Sequence, residues 1–195
     1  MPASAHINHA KIKHAAAIQD YRAQPGLPLV EVVDQNNRPL LLMPPDEAKR
    51  QTLRHRGIII LTYSFEYKLF LQKRKWDSPT SPEIYDLSML ATVLAGESVG
   101  EAAGRVMKDQ FGLRTAHLKK LGPIPACAAT GQICFTMFST NIAQSIFEKG
   151  HWTQCGLMVN RNELKYLVAE HDNLLSPLLR YFWEKNMLFR PSCSK

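Results

Sequence analysis

Two short apolar runs open the chain's ordered pattern, Val30 and Val32 on one side and Leu40 to Leu42 on the other of a polar turn, Asp34 to Arg38. The pattern predicts a β-hairpin over 29–43, with Asn supplying the left-handed backbone such turns need. Pro44-Pro45 ends it, and Asp46 stands where it would cap a short helix running to about Leu53. Ile58 to Phe65 and Lys68 to Lys75 are rich in Ile, Leu, Phe and Tyr. They read as two strands joined by a tight turn near Glu66-Tyr67. Pro79 and Pro82 mark 76–85 as a loop, and Asp86 to Val93 is expected as one further strand. The period then lengthens: Val99, Ala102, Ala103, Val106 and Phe111 fall mostly on one helical stripe. Ser98 stands three residues before Glu101, the spacing of a capping box, and Gly112 stands at a left-handed C-terminal cap.

Beyond that helix, Leu118 to Cys127 is broken by Pro123 and Pro125, and Gln132 to Thr140 reads as a strong strand. Trp152 to Val159 is expected as the last strand. Asn160 with Glu163 opens a helix to about Glu170, and Ser176-Pro177 opens a final helix. Leu178, Leu179, Phe182 and Trp183 give that helix an apolar stripe, which either packs on the domain or forms a homodimer. Strands and helices interleave in one chain, the pattern of an α/β fold. Residues 1–26 read as an appendage ended by Pro25-Gly26, residues 27–188 as the domain and 189–195 as a mobile tail.

At 195 residues and 45% hydrophobic content, one domain with a sizeable core is the natural expectation. The 24 Lys and Arg outnumber the 17 Asp and Glu, for a net charge of +7. That balance suits a phosphate-bearing ligand and is equally compatible with no charged partner. No nucleic-acid module with interleaved aromatics is present, so charge alone speaks for nucleic acid. Cys127, Cys134, Cys155 and Cys193 show neither close pairing nor zinc-like spacing, and read as reduced thiols of a cytoplasmic protein. No apolar run approaches the length of a membrane span, and the N-terminus lacks the apolar core of a secretory signal. His6, His9 and His14 are irregularly spaced without an acidic neighbour, which fits a loosely docked helix better than a metal site.

Chemistry concentrates in Ala91 to Leu113, ATVLAGESVGEAAGRVMKDQFGL. Glu97, Arg105 eight residues later, Met107, and Gly112-Leu113 stand in the register of the Nudix box, which this stretch resembles. That box reads Gly, five residues, Glu, seven residues, Arg-Glu, an aliphatic residue, any residue, Glu-Glu, any residue, Gly, aliphatic. The resemblance implies a Nudix α/β/α sandwich with a central mixed sheet. It implies water attacking a diphosphate linked to another moiety, with magnesium or manganese on the box helix neutralising charge. Here the leading Gly is Ala91, and the box's three carboxylate positions hold Val106, Asp109 and Gln110. They share one helical face at i, i+3 and i+4. Hard divalent ions want charged oxygen ligands, so the metal role carries over to Asp109, with Gln110 as a weak carbonyl ligand. Glu97, Arg105 and Gly112 carry over as scaffold. Two functions follow: a weakened hydrolase of a nucleoside diphosphate derivative or other organic pyrophosphate, or an inactive ligand-binding or regulatory module.

The order hairpin, short helix, Leu53-Arg-His-Arg56, strand pair and box resembles the branch containing isopentenyl diphosphate isomerase. In the isomerase a His at the place of His55 binds metal. The stretch Tyr85 to Ala91 has no counterpart of the isomerase's second metal-binding His or its catalytic Cys, and Ser88 stands nearby. Isomerisation is therefore disfavoured, and His55 reads as a structural hydrogen-bonding residue. Arg54, Arg56, Lys73 and Arg74 are candidates to meet ligand phosphates, with solvated strand ends as the plainer reading. Trp76 either stacks on a base or packs at the sheet edge. Active relatives carry an acid after a late strand, and Glu148 is the one acid there, a weak candidate for the base.

Overall fold

The computed structural model describes residues 26–75, 83–113, 118–143, 146 and 156–189. Val30–Val33 (β1) pairs antiparallel with Pro39–Met43 (β2). Their turn is pinned by Asp34, whose Oδ1 accepts the backbone N–H of Asn36 and of Arg38, each at 2.8 Å. Asn37 takes the left-handed conformation there, at φ 62°. The following helix, Pro45–Arg50 (α1), departs from expectation at both ends. Pro44 is its N-cap and Asp46 lies inside its first turn. Proline's preset φ and missing N–H suit the first helical position, so the proline pair starts the helix as well as ending the hairpin. Gln51 closes it, short of Leu53.

His55–Tyr63 (β3) is the centre of the sheet. It starts earlier than the apolar run suggested, because His55 to Gly57 pair like strand residues although only the later ones are aliphatic. Along its whole length β3 runs parallel to Ile133–Asn141 (β8). Its other edge is shared by β1, by Leu69–Lys75 (β4) through the hairpin pair Tyr63 and Leu69, and by Met89–Thr92 (β6). Lys119–Ile124 (β7) flanks β8, and Gly156–Val159 (β9) flanks β4.

The expected single strand over Asp86 to Val93 is two strands instead. Glu83–Leu87 (β5) pairs with β4, whereas β6 pairs with β3. Ser88 makes the switch possible. Its buried hydroxyl donates to the carbonyl of Phe70 and accepts the N–H of Thr62 at 3.1 Å, standing in for ladder bonds where the chain changes partner. No turn residue or break in the apolar pattern marks the switch, because a single Ser separates the two strands.

The two faces of β3 divide the core, as alternation requires. Ile58 and Ile60 face Val99–Phe111 (α2), meeting Ala102, Ala103, Val106 and Met107. Ile59 and Leu61 face Arg161–Glu170 (α3) and Pro177–Glu184 (α4), meeting Leu164, Leu179 and Phe182. Helix, mixed sheet, helix is the expected sandwich. Leu178, Leu179 and Phe182 are buried in this core, with Trp183 packed against it, so the stripe on α4 packs on the domain. Gly57 is required where β3 meets β8: a Cβ there would lie 2.7 Å from Ile133 Cγ2 and from Phe135 Cε1. No helix among the described residues is long and apolar enough to cross a membrane.

Candidate functional site

The site is built around the loop 93–98 and α2. Ser98 caps the helix: its Oγ accepts the N–H of Glu101 at 3.2 Å, and the Glu101 carboxylate accepts the N–H of Ser98 at 2.8 Å. Gly112 ends it in the left-handed conformation, φ 67°. Between these caps Arg105 reaches back to Glu97 through two bonds, Nε to Oε1 at 2.8 Å and Nη2 to Oε2 at 2.9 Å. The same Nη2 donates to the carbonyl of Thr92 at 3.1 Å, and Glu97 Oε2 accepts the N–H of Leu94 at 3.0 Å. One ion pair thus ties the end of β6, the loop and the helix into a unit. The Arg105 guanidinium holds the Glu97 carboxyl below the usual carboxylate range. Glu97 in turn raises the pKa of Arg105.

No family model matches the chain. It is 31% identical over 102 residues to an uncharacterised Nudix hydrolase of Pseudomonas aeruginosa, a match covering 52% of this chain and 60% of that one. It is 30% identical over 92 residues to an isopentenyl-diphosphate Delta-isomerase of Pectobacterium atrosepticum, covering 46% and 51%. The chain thus spans about half to three fifths of the length of these curated relatives. Its fold matches a crystal structure from Deinococcus radiodurans with TM-score 0.60 at 14% identity, over 83% of this chain and 99% of that one. The chain is thus similar over about half its length to a protein named as a Nudix hydrolase, and shares the fold of the Deinococcus protein. The braced loop and helix are the stretch that resembles the Nudix box.

The helix face to which the resemblance assigns metal is partly buried as well as poor in charge. Asp109 and Gln110 are exposed, but Val106 is only 7% exposed and belongs to the core between α2 and β3. Nearby carboxylates are already committed, Glu97 to Arg105 and Glu101 to the cap. Among the described residues no group of three or more His, Cys, Asp or Glu is placed to hold a metal ion. One free carboxylate beside one neutral amide does not fit a hard divalent ion. Glu148 lies outside the described residues, as do Trp76, Cys155, Cys193 and the histidines of the N-terminal appendage.

A cavity of about 550 Å³ opens beside the box loop. Its walls include Leu90 and Thr92 of β6, Arg105 of α2, Phe135 of β8, residues 128–131, and Ser176 to Leu178 at the start of α4. Of the four phosphate candidates, Arg74 alone is among the lining residues. Arg56 is committed at the first hairpin, to Glu31 at 2.6 Å and to the side chain and carbonyl of Asn37 at 2.9 and 2.8 Å. Lys73 pairs with Glu83. Arg54 is half-buried beside the first hairpin, where its carbonyl accepts the N–H of Val33 at 2.8 Å.

Arg74 has a neighbour that the sequence concealed. Asp86 is 8% exposed. Its Oδ1 accepts the hydroxyl of Ser176 at 2.6 Å and the N–H of Leu87 at 2.8 Å. Its Oδ2 lies 3.5 Å from Arg74 Nε, which is buried and has no hydrogen-bond partner. Ser176 meanwhile caps α4, accepting the N–H of Leu179 at 3.0 Å. Lys49 of α1 joins the lining from another element. Ser176 and Asp86 are 90 residues apart, and nothing local in either neighbourhood pairs them.

His55 is fully buried on β3. Its Nδ1 lies 2.8 Å from the Leu53 carbonyl, which only accepts, so Nδ1 carries the proton. Burial pushes the imidazole below its usual pKa. That one bond fits the structural reading of the sequence, while Nε2 is buried without a hydrogen-bond partner.

Proposed function

We propose that the chain binds an organic pyrophosphate, such as a nucleoside diphosphate derivative, in the cavity beside the Nudix box, and turns it over weakly or not at all. The observation that carries this reading is the burial of Val106. The first of the three carboxylate positions is absorbed into the core, so one substitution by an acid would not restore it without repacking. The braced loop and the cavity, with Arg74, Lys49 and Arg105 against one carboxylate, favour an anionic ligand. The apolar walls, Leu90, Phe135 and Leu178 among them, suit an uncharged moiety attached to it. Asp109 favours a second reading, residual hydrolysis through a single metal-ligating carboxylate. The free thiols Cys127 and Cys134 fit a cytoplasmic setting.

The test is a panel of nucleoside diphosphate derivatives presented to the full chain with Mg²⁺ or Mn²⁺. Release of phosphate or nucleotide is followed beside calorimetric binding. Binding with little release is expected. Robust hydrolysis that survives Asp109→Ala would place the reaction elsewhere and overturn the reading.

A further inference from the structure

We propose that this chain recognises its anionic ligand without a divalent cation, the neutralising charge coming from Arg74 as positioned by Asp86 and Ser176. This rests on reading the cavity as a site for an organic phosphate, and goes beyond it in replacing the ion by a side chain.

In a metal-dependent site the cation lies between acids of the protein and oxygens of the ligand, and offsets the repulsion between them. That arrangement needs an acidic face, and α2 does not supply one. Val106 is in the core, Gln110 is neutral, and Asp109 lies close enough to Arg105 for their charges to interact. A ligand phosphate approaching this helix therefore meets little negative charge for a cation to bridge.

Another part of the cavity wall has the complementary property. Arg74 projects from β4 with a buried Nε that makes no hydrogen bond, although an acid stands 3.5 Å away. A buried donor left unpaired is costly, and a ligand oxygen would relieve that cost. Asp86 does not close the gap because its other oxygen is held by Ser176 and by the N–H of Leu87. The carboxylate thus keeps the guanidinium in place by charge and leaves its Nε available. A planar guanidinium matches a phosphate in bidentate fashion, which an isolated ammonium does not. Lys49 adds a second positive charge to the same lining.

The chemistry gives a clean separation of outcomes. The probes are ADP and inorganic pyrophosphate, titrated calorimetrically into the full chain in excess EDTA and in excess Mg²⁺. Equal affinity in the two buffers is expected, with no change on Asp109→Ala in either. Arg74→Gln should weaken binding roughly tenfold or more. Arg74→Lys should recover part of the loss, because charge returns without the fork. Asp86→Asn should retain binding but weaken it, with Arg74 present and no longer fixed. If Arg74→Gln does not fold, the comparison of EDTA with Mg²⁺ in wild type and Asp109→Ala decides alone. Binding that needs Mg²⁺ and falls with Asp109→Ala overturns the proposal while leaving the ligand-binding reading intact. Absence of binding in both buffers overturns that reading and the proposal with it.

Discussion

Rebuilding the acidic face by Val106→Glu with Gln110→Glu separates a missing ligand set from a missing site. The two introduced carboxylates and that of Asp109 would then stand at i, i+3 and i+4 on α2. The packing sets the cost. Val106 is buried among Ile58, Ile60, Phe70, Met107 and Phe138, and losing a buried Val side chain costs about 1.5–3 kcal/mol. Three adjacent carboxylates repel one another in addition, by a few tenths of a kcal/mol per pair on an exposed helix. Helix propensity returns about 0.3 kcal/mol, since Glu is a better helix former than Val. A net loss of about 2–3 kcal/mol lowers Tm by roughly 4–12 °C in a domain of this size. The residual 7% exposure places position 106 at the rim, where a longer side chain reaches water beside Asp109. Mg²⁺ at a hundred times its Kd should then restore about 2.7 kcal/mol to the double variant. Thermal unfolding with and without Mg²⁺ or Mn²⁺ reads this directly. Wild type should show no metal-dependent shift, and the double variant should recover most of its lost Tm. A folded double variant indifferent to both ions would show that this face is not where the fold holds metal. Micromolar Mg²⁺ affinity in wild type, abolished by Asp109→Ala, would refute the account of the charge deficit.

Other consequences follow from the same geometry. Glu97→Gln exchanges a two-bonded, partly exposed ion pair for a neutral amide, and should cost about 1–2 kcal/mol in urea unfolding. Because the folded pKa of Glu97 is lowered, its contribution is complete above the unfolded carboxylate value and is lost as pH falls through the folded one. Wild type should therefore lose more stability than Glu97→Gln on acidification below about pH 4.3. His55 behaves in a higher range: with its folded pKa also lowered, the unfolded chain binds the proton first, and stability should decline as pH falls below about 6.5. Replacing His55 by Gln should flatten Tm between about pH 7.5 and 5.5, whatever it does to the absolute value, in a thermal scan at those two limits. Gly57→Ala should cost about 1–3 kcal/mol by overpacking against Ile133 and Phe135, read as a lower urea midpoint with unchanged slope.

Much of the scaffold was legible because its signals are local. Ser98 with Glu101, Gly112, and Asn160 with Glu163 each announce a helix end within a few residues, and each forms the cap it suggests. Glu97 and Arg105 were legible through a spacing shared with a family. The chain's change of partner at Ser88 was not, since it depends on a hydroxyl meeting Phe70 and Thr62 from two other strands. Asp46 misled because local capping preference competes with the proline pair, which suits the first helical turn better. The cavity was least legible. Arg74 stood among four equivalent basic candidates, and only tertiary packing commits Arg56 to Glu31 and Lys73 to Glu83. Asp86 carried no motif, and Ser176 carried only that of a helix start.

The pairing of β3 with β8 has a kinetic consequence. These neighbours join nine successive residue pairs, from His55 with Ile133 to Tyr63 with Asn141. Most of the domain must therefore be searched before the central ladder closes, and such non-local pairing slows folding. Until then Ile58-Ile59-Ile60-Leu61, fully buried in the finished sheet, has β6 along one edge only, and its other edge is an open apolar strand of high propensity. Synthesised from the N-terminus, the chain exposes this segment for as long as residues 133–141 are unmade. Fragments ending before residue 133 should consequently aggregate, while the full chain refolds in a single slow phase limited by this closure.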